Sequence, residues 1–233
     1  MTEKHLSSQF DAELNMVSGM VMEMGGLVEQ QMRQAVEAMV DYNAEVAMSV
    51  LKAEPQVNSM EMEIDHELTS IIGRRQPTAR DLRLLIAISR ATGNLERAGD
   101  EAAKIARMVQ GIIQNGTARS LPSSELRVAA NLASDLLRRS LDSFARLDSR
   151  IALEILRADN LIDIEYDGFM RKLVTYMMED PRTISQSLDL MFLAKSIERI
   201  GDHAKNIAEC VIYIVKGLDV RHTPLQAIES QLG

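Results

Sequence analysis

Two carboxylates one helical turn apart, with an arginine and a glycine between them, occur twice in this chain. Glu96-Arg97-Ala98-Gly99-Asp100 returns as Glu198-Arg199-Ile200-Gly201-Asp202, 102 residues later. Side chains four apart on a helix have Cβ atoms about 5–6 Å apart. Two like charges at that spacing repel, and a bridging cation removes the repulsion. Hard cations prefer such oxygen donors, and the number and geometry could hold one or more divalent or trivalent ions of Mg, Mn, Fe or Zn. Glu96, Asp100, Glu198 and Asp202 are therefore the first candidate metal ligands.

A second pair of helices adds to them. With Ile64, Leu68 and Ile71 as a core stripe, Glu61 and Asp65 lie together on one flank, joined by Asn58. In the fifth helix Asp163 and Asp167 hold the corresponding flank beside Phe169 and Leu173. Each half of the chain can thus offer four carboxylates from two adjacent helices. The alternative is a solvated acidic face, which is what most exposed acid pairs on helices are.

The helix that carries the motif explains where these acids point. Leu95, Ala98, Ala102, Ile105, Val109 and Ile112 form a heptad seam, repeated as Ile197, Ile200, Ala204, Ile207, Val211 and Ile214. At about 100° per residue, Glu96 and Asp100 fall about 100° and 140° from Leu95, on the face away from that seam. Glycine inside a helix costs about 1 kcal/mol relative to alanine. Gly99 and Gly201 therefore imply a close approach, by a ligand or by a neighbouring helix. Beside the second motif, His203 is expected to be exposed, and Glu209 falls on the outer face as an additional donor. Glu101 and Arg107 stand at their equivalents.

The repetition extends beyond the motif. Aligning 95–109 with 197–211 gives eight identities in fifteen. Val50-Leu51-Lys52-Ala53-Glu54 resembles Ile155-Leu156-Arg157-Ala158-Asp159 at an offset of 105. Such matches mark a duplication. The boundary is placed at 116–123, where Gly116 and Pro122 interrupt the helical pattern, giving repeats at 1–116 and 117–233. Apolar residues recur at helical spacing throughout, which predicts an all-α fold of six long helices near 8–41, 44–73, 79–114, 124–147, 150–178 and 184–216. These make two tandem three-helix bundles. Asn43 and Asp148 suit helix N-caps, Thr78 and Thr183 open capping boxes with Asp81 and Gln186, and Pro55 predicts a kink or restart near Glu54.

Composition narrows the function. The 233 residues are 46% hydrophobic and only 3% aromatic, with fifteen Met that read as helix-bundle filler. A net charge of −8 argues against nucleic acid and anionic lipid and favours a cation or a basic protein surface. A lone Cys210 excludes an internal disulfide, suits a reducing compartment and reads as a core residue. No apolar leader and no uncharged stretch of about 18 residues is visible, so a cytoplasmic protein without membrane insertion is expected. Glu63-x-x-His66 matches half of a carboxylate di-iron motif, but no second copy stands at the repeat position. No phosphate loop, zinc cysteine pair or nucleophile elbow is present, so an enzyme is not expected.

The paired motif in a duplicated, acidic, helical chain resembles the PhoU family of bacterial phosphate-transport accessory proteins. Met24-Gly25-Gly26-Leu27-Val28-Glu29-Gln30-Gln31, Arg75-Gln76-Pro77-Thr78-Ala79-Arg80-Asp81-Leu82-Arg83 and Thr175-Tyr176-Met177-Met178-Glu179-Asp180 carry the resemblance further. So do Val215-Lys216-Gly217 and Arg221-His222. It spans residues 6–222. It implies a regulator that links the ATPase of the phosphate-specific ABC transporter to a membrane sensor histidine kinase. Such a regulator keeps the starvation response off and restrains uptake when phosphate is plentiful. It also implies a homodimer, and metal on the outer face at Glu96, Asp100, Glu198 and Asp202, with Glu61 and Asp65. In the fifth helix Tyr166 and Met170 stand where Glu61 and Asp65 align, so only the shifted pair Asp163 and Asp167 can serve there. A metal-storage or metal-buffering bundle is the alternative reading.

Overall fold

The structure, a computed structural model, describes residues 2–116 and 124–232. The predicted repeat boundary falls largely in 117–123, outside the described residues. Helices α1 (Thr2–Asp41), α2 (Ala44–Arg75) and α3 (Ala79–Gln114) pack against one another. Helices α4 (Ser124–Arg146), α5 (Ser149–Glu179) and α6 (Ile184–Lys216) do the same. No strand occurs among the described residues. The chain is all-α, as its apolar period requires.

The helix ends follow the local sequence in part. Asn43 Oδ1 accepts from the backbone N–H groups of Glu45 and Val46, and Asp148 Oδ1 does so from Arg150 and Ile151. These are the expected caps, satisfying donors that the first turn leaves unpaired. Thr78 and Thr183 precede their helices but make no side-chain cap bond. Thr183 instead donates its hydroxyl to the carbonyls of Tyr176 and Asp180, because a 3₁₀ turn at Pro181–Thr183 turns it back toward α5. Pro55 is accommodated within α2, which runs on without a restart. A short α7 (Leu225–Leu232), absent from the sequence reading, lies against α5 through the Arg157–Glu229 ion pair at 2.6 Å, with Ile228 buried.

Both heptad seams are buried along their full length. Met24 and Met32 are fully buried as filler, and Cys210 is buried in the core. The two halves do not sit apart. Helix α3 packs along α6, α1 packs on α4, and one hydrophobic core runs through both halves. Ala103, Ala106 and Gly99 are buried as well as the seam, so α3 is covered on more than one side. The same holds for α6, with Gly201, Ala208 and Cys210. The face carrying the motif acids is therefore half-covered rather than fully exterior. No helix of the described chain is long and apolar enough to cross a membrane.

Candidate metal-binding patches and the joint between the repeats

The first acidic patch lies where α2 and α3 run side by side. Glu61, Glu96 and Asp100 are half-buried and Asp65 is exposed. Burial raises the pKa of Glu61, and Asp65 and Asp100 raise it further, against Arg97. Burial does the same for Glu96, reinforced by Asp100 and Glu61. Asp100 is raised by burial and then by Glu54, while Lys104 and Arg107 oppose. Low solvation and like charge both disfavour ionisation. Glu54 belongs to this patch and carries an ion pair to Arg107.

The second patch repeats the arrangement with more internal compensation. Asp202, half-buried, is pushed up to about 6 by burial, then by Glu198, Asp159 and Asp163. Asp163 is raised by burial, Asp159 and Glu198. Asp167 is exposed and acts on Asp163 least of the named groups. Buried Asp159 is held by Lys205 at 2.6 Å, and Glu198 by Lys195 at 2.6 Å. Lys195 also stands over the Tyr166 ring, 5.4 Å from its centroid. Thus where Glu61 stands in the first repeat, Tyr166 supports a cation in the second.

All eight predicted acids therefore lie in two patches, four in each, although Asp167 is peripheral. Glu54 and Asp159 were not singled out, yet the Val50–Glu54 match to Ile155–Asp159 held the signal. The donors suit a hard cation: oxygen ligands and, at Glu61, Glu96, Asp100 and Asp202, partial burial with like-charge repulsion that neighbouring cations only partly offset. Among the described residues no three acidic, His or Cys side chains converge into a preformed metal cage. The two motif glycines are explained without a ligand. A Cβ on Gly99 would meet Gln31 Oε1 at 3.1 Å, and one on Gly201 would meet Ile162 Cδ1 at 2.7 Å. Neighbouring helices make the close approach.

Between the patches, α3 and α6 cross antiparallel and the motifs meet. His203 Nδ1 lies 3.1 Å from Asn94 Oδ1, which also accepts from Asn206 Nδ2 at 3.0 Å. Glu101, only 6% exposed in its side chain, takes Lys104 at 2.6 Å and Arg199 at 3.2 Å. Burial alone would raise its pKa, but bonds from Lys104, Ser196 and Arg199 hold it below the usual carboxylate value. His203 is half-buried rather than exposed, and burial together with Arg97 lowers it to about 4. Glu209 is half-buried too, raised chiefly by burial. These groups border a polar cleft of ≈ 860 Å³ that both Asp100 and Asp202 line.

Comparison with known proteins agrees with this duplicated architecture. The family model for the PhoU domain matches residues 21–109 and again 126–211. The chain belongs to the PhoU family. It is 48% identical over its full length, and the full length of the relative, to a phosphate-specific transport system accessory protein PhoU homolog of Burkholderia sp. It is 45% identical to Escherichia coli PhoU over 94% of this chain and 90% of that protein. The crystal structure of PhoU from Pseudomonas aeruginosa superposes with a TM-score of 0.87 at 45% identity, covering 90% of this chain and 100% of the other. A phosphate transport system regulatory protein PhoU from Streptococcus pneumoniae gives 0.82 at 25% identity, covering 90% and 98%. The family's duplicated domain is thus present in both halves.

Proposed function

We propose that this chain is a cytoplasmic regulator of phosphate homeostasis, not an enzyme. It acts as an adaptor between the ATPase subunit of the phosphate-specific ABC transporter and a membrane sensor histidine kinase. It represses the starvation response and restrains uptake when phosphate is plentiful. The observation that carries the reading is the end-to-end likeness to a protein named as a phosphate-specific transport accessory protein. The acidic patches support the part that metal plays. Glu61, Asp65, Glu96 and Asp100 would hold a hard cation in the first repeat, divided from the second at 116/117. Asp163, Asp167, Glu198 and Asp202 would do so in the second. A bound Mg, Mn, Fe or Zn ion would neutralise patches whose carboxylates now repel. A homodimer is part of the proposal.

Deletion should switch on a secreted phosphatase in phosphate-rich medium, and capture from such cells should retain the transporter ATPase and the kinase. If phosphatase stays silent after deletion, the signalling reading fails. Elemental analysis of Glu96→Gln/Asp100→Asn beside wild type tests the metal part, and equal metal content removes these residues from it. A metal-buffering bundle would instead carry many ions per chain and leave the phosphatase response intact. Sedimentation at micromolar concentration tests the dimer.

A further inference from the structure

The duplication lets each helix face be compared with its own copy. Val57 lies against the motif glycine Gly99, and Ile162 lies against Gly201, so α2 and α5 correspond at an offset of 105. At that offset Gln56, Ser59 and Glu63, all exposed on α2, become Leu161, Ile164 and Gly168, all exposed on α5. The α2 face is a solvated one, on which the Ser59 hydroxyl donates to Glu63 Oε1 at 3.1 Å. The α5 face is not. Leu161 and Ile164 are 52% and 57% exposed, and Met178 is 80% exposed. Positions 161, 164, 168, 171, 175 and 178 follow the alternating three-and-four spacing of a seam between packed helices. The fold does not need apolar residues there, because the first repeat does without them at 56 and 59.

Gly168 stands in the middle of this stripe. A Cβ on it would meet nothing within 4 Å, so no neighbouring helix of the chain requires the glycine. Glycine inside a helix weakens it, and here, unlike at Gly99 and Gly201, nothing in the same chain is gained. What it allows is close approach by a second backbone. The charges identify that backbone. Arg157 and Glu179 stand eleven residues before and after Gly168, within the angular span of the stripe at about 100° per residue. A copy of α5 laid antiparallel about Gly168 brings each onto the other. It also brings Arg171 beside Asp167 of the second copy, on one flank of the stripe. Arg171, Asp167 and Glu179 are exposed, and none has an ion-pair partner within 4.0 Å among the described residues. Arg157 pairs with Glu229 at 2.6 Å and is still 53% exposed in its side chain. A parallel copy in the same register would set each charge against its own kind.

We infer that a second copy of this chain docks on the exposed face of α5, with the two α5 helices antiparallel across a two-fold axis at Gly168. Leu161 then packs between Thr175 and Met178 of the second copy, and Ile164 packs on the aliphatic stem of its Arg171. Because the contact is isologous, each of these occurs twice. The stripe is about 26 Å long at 1.5 Å per residue, which makes an interface at the small end of the specific range. The dimer is therefore expected to dissociate on dilution. This docking rests on the homodimer proposed above and names the surface that forms it.

Sedimentation velocity of the whole protein in chelator, from nanomolar to high-micromolar concentration, should show a reversible monomer–dimer equilibrium. Leu161→Gln/Ile164→Ser/Gly168→Glu gives α5 the residues that α2 carries at the same positions. It should weaken the dimer at least about a hundredfold, since two apolar side chains per copy lose their cover. Its helix content and its melting point as a monomer should match or exceed wild type, because glutamate replaces glycine inside the helix. Positions 161 and 175 come level across the axis, seven residues on either side of Gly168. Under mild oxidant, a mixture of the single variants Leu161→Cys and Thr175→Cys should form the mixed disulfide, and neither alone should link to itself. Buried Cys210 takes no part. A wild-type dimer that persists in the triple variant overturns the docking on α5 and leaves the homodimer standing. So does self-linking of either cysteine variant, or absence of the mixed disulfide. A chain that stays monomeric throughout overturns both, and the phosphatase response of the deletion still decides the adaptor reading.

Discussion

Asp202 is ionised at neutral pH in surroundings that disfavour its charge, and replacing it should stabilise the chain. Its pKa is about 6, against an ordinary 3.8, because it is half-buried beside Glu198, Asp159 and Asp163. At 1.36 kcal/mol per pH unit, the gap is worth about 3 kcal/mol against folding once the group is ionised. Partial solvent access screens this, and about half, ~1.5 kcal/mol, is the expected gain for Asp202→Asn. For a chain of this length that is a rise of about 3–6 °C in melting temperature. The sign follows from proton linkage. Between pH 3.8 and about 6 the folded state binds more protons than the unfolded, so wild-type stability falls as pH rises through that window. The advantage of Asn should therefore be absent below pH 3.8 and complete above pH 6. Melts in chelator from pH 3.5 to 8 measure it. Repeating them with Mn or Mg should stabilise wild type and not the variant, since ligand binding to the folded state adds to its stability. Equal melting points at pH 7.5 in chelator, or a gain that persists unchanged at pH 3.5, would refute the account of a repelled, half-buried carboxylate.

Three further outcomes follow from named contacts. Glu101→Gln should lower stability by about 1–3 kcal/mol, because a buried carboxylate with hydrogen bonds to two cations is lost, and a double-mutant cycle with Arg199→Gln should return a coupling above about 0.5 kcal/mol. Because the Glu101 pKa is lowered, that coupling should be present above pH 4.5 and vanish as pH falls through the lower folded value. Gly201→Ala should destabilise despite the better helix propensity, since its Cβ would stand 2.7 Å from the tip of buried Ile162, and adding Ile162→Val should recover most of the loss. Asn43→Ala, measured by chemical denaturation, should cost about 1 kcal/mol through loss of the α2 cap.

The parts of this molecule that were legible in the sequence are those governed by period and by local chemistry. The two heptad seams predicted which face of α3 and α6 is buried, and the Asn43 and Asp148 caps predicted where α2 and α5 begin. The grouping of Glu61, Asp65, Glu96 and Asp100 was legible because one helix face fixes each pair. What one helix cannot report is what lies across from it. A helical projection placed Glu96 and Asp100 opposite the seam and hence outside, but it had no knowledge that α6 packs along α3. That second contact fixes His203 on Asn94 and buries Glu101. Short C-terminal α7 was missed for a related reason: Leu225 and Ile228 give one turn of apolar spacing, too little to signal a helix without the α5 surface that receives it. The repeat nevertheless held more than was taken from it. Substituting the two halves into each other position by position sets Glu101 against His203 and Lys104 against Asn206. Those differences fall at the joint between α3 and α6, where two copies of one helix meet and a change in either copy alters the partner of the other.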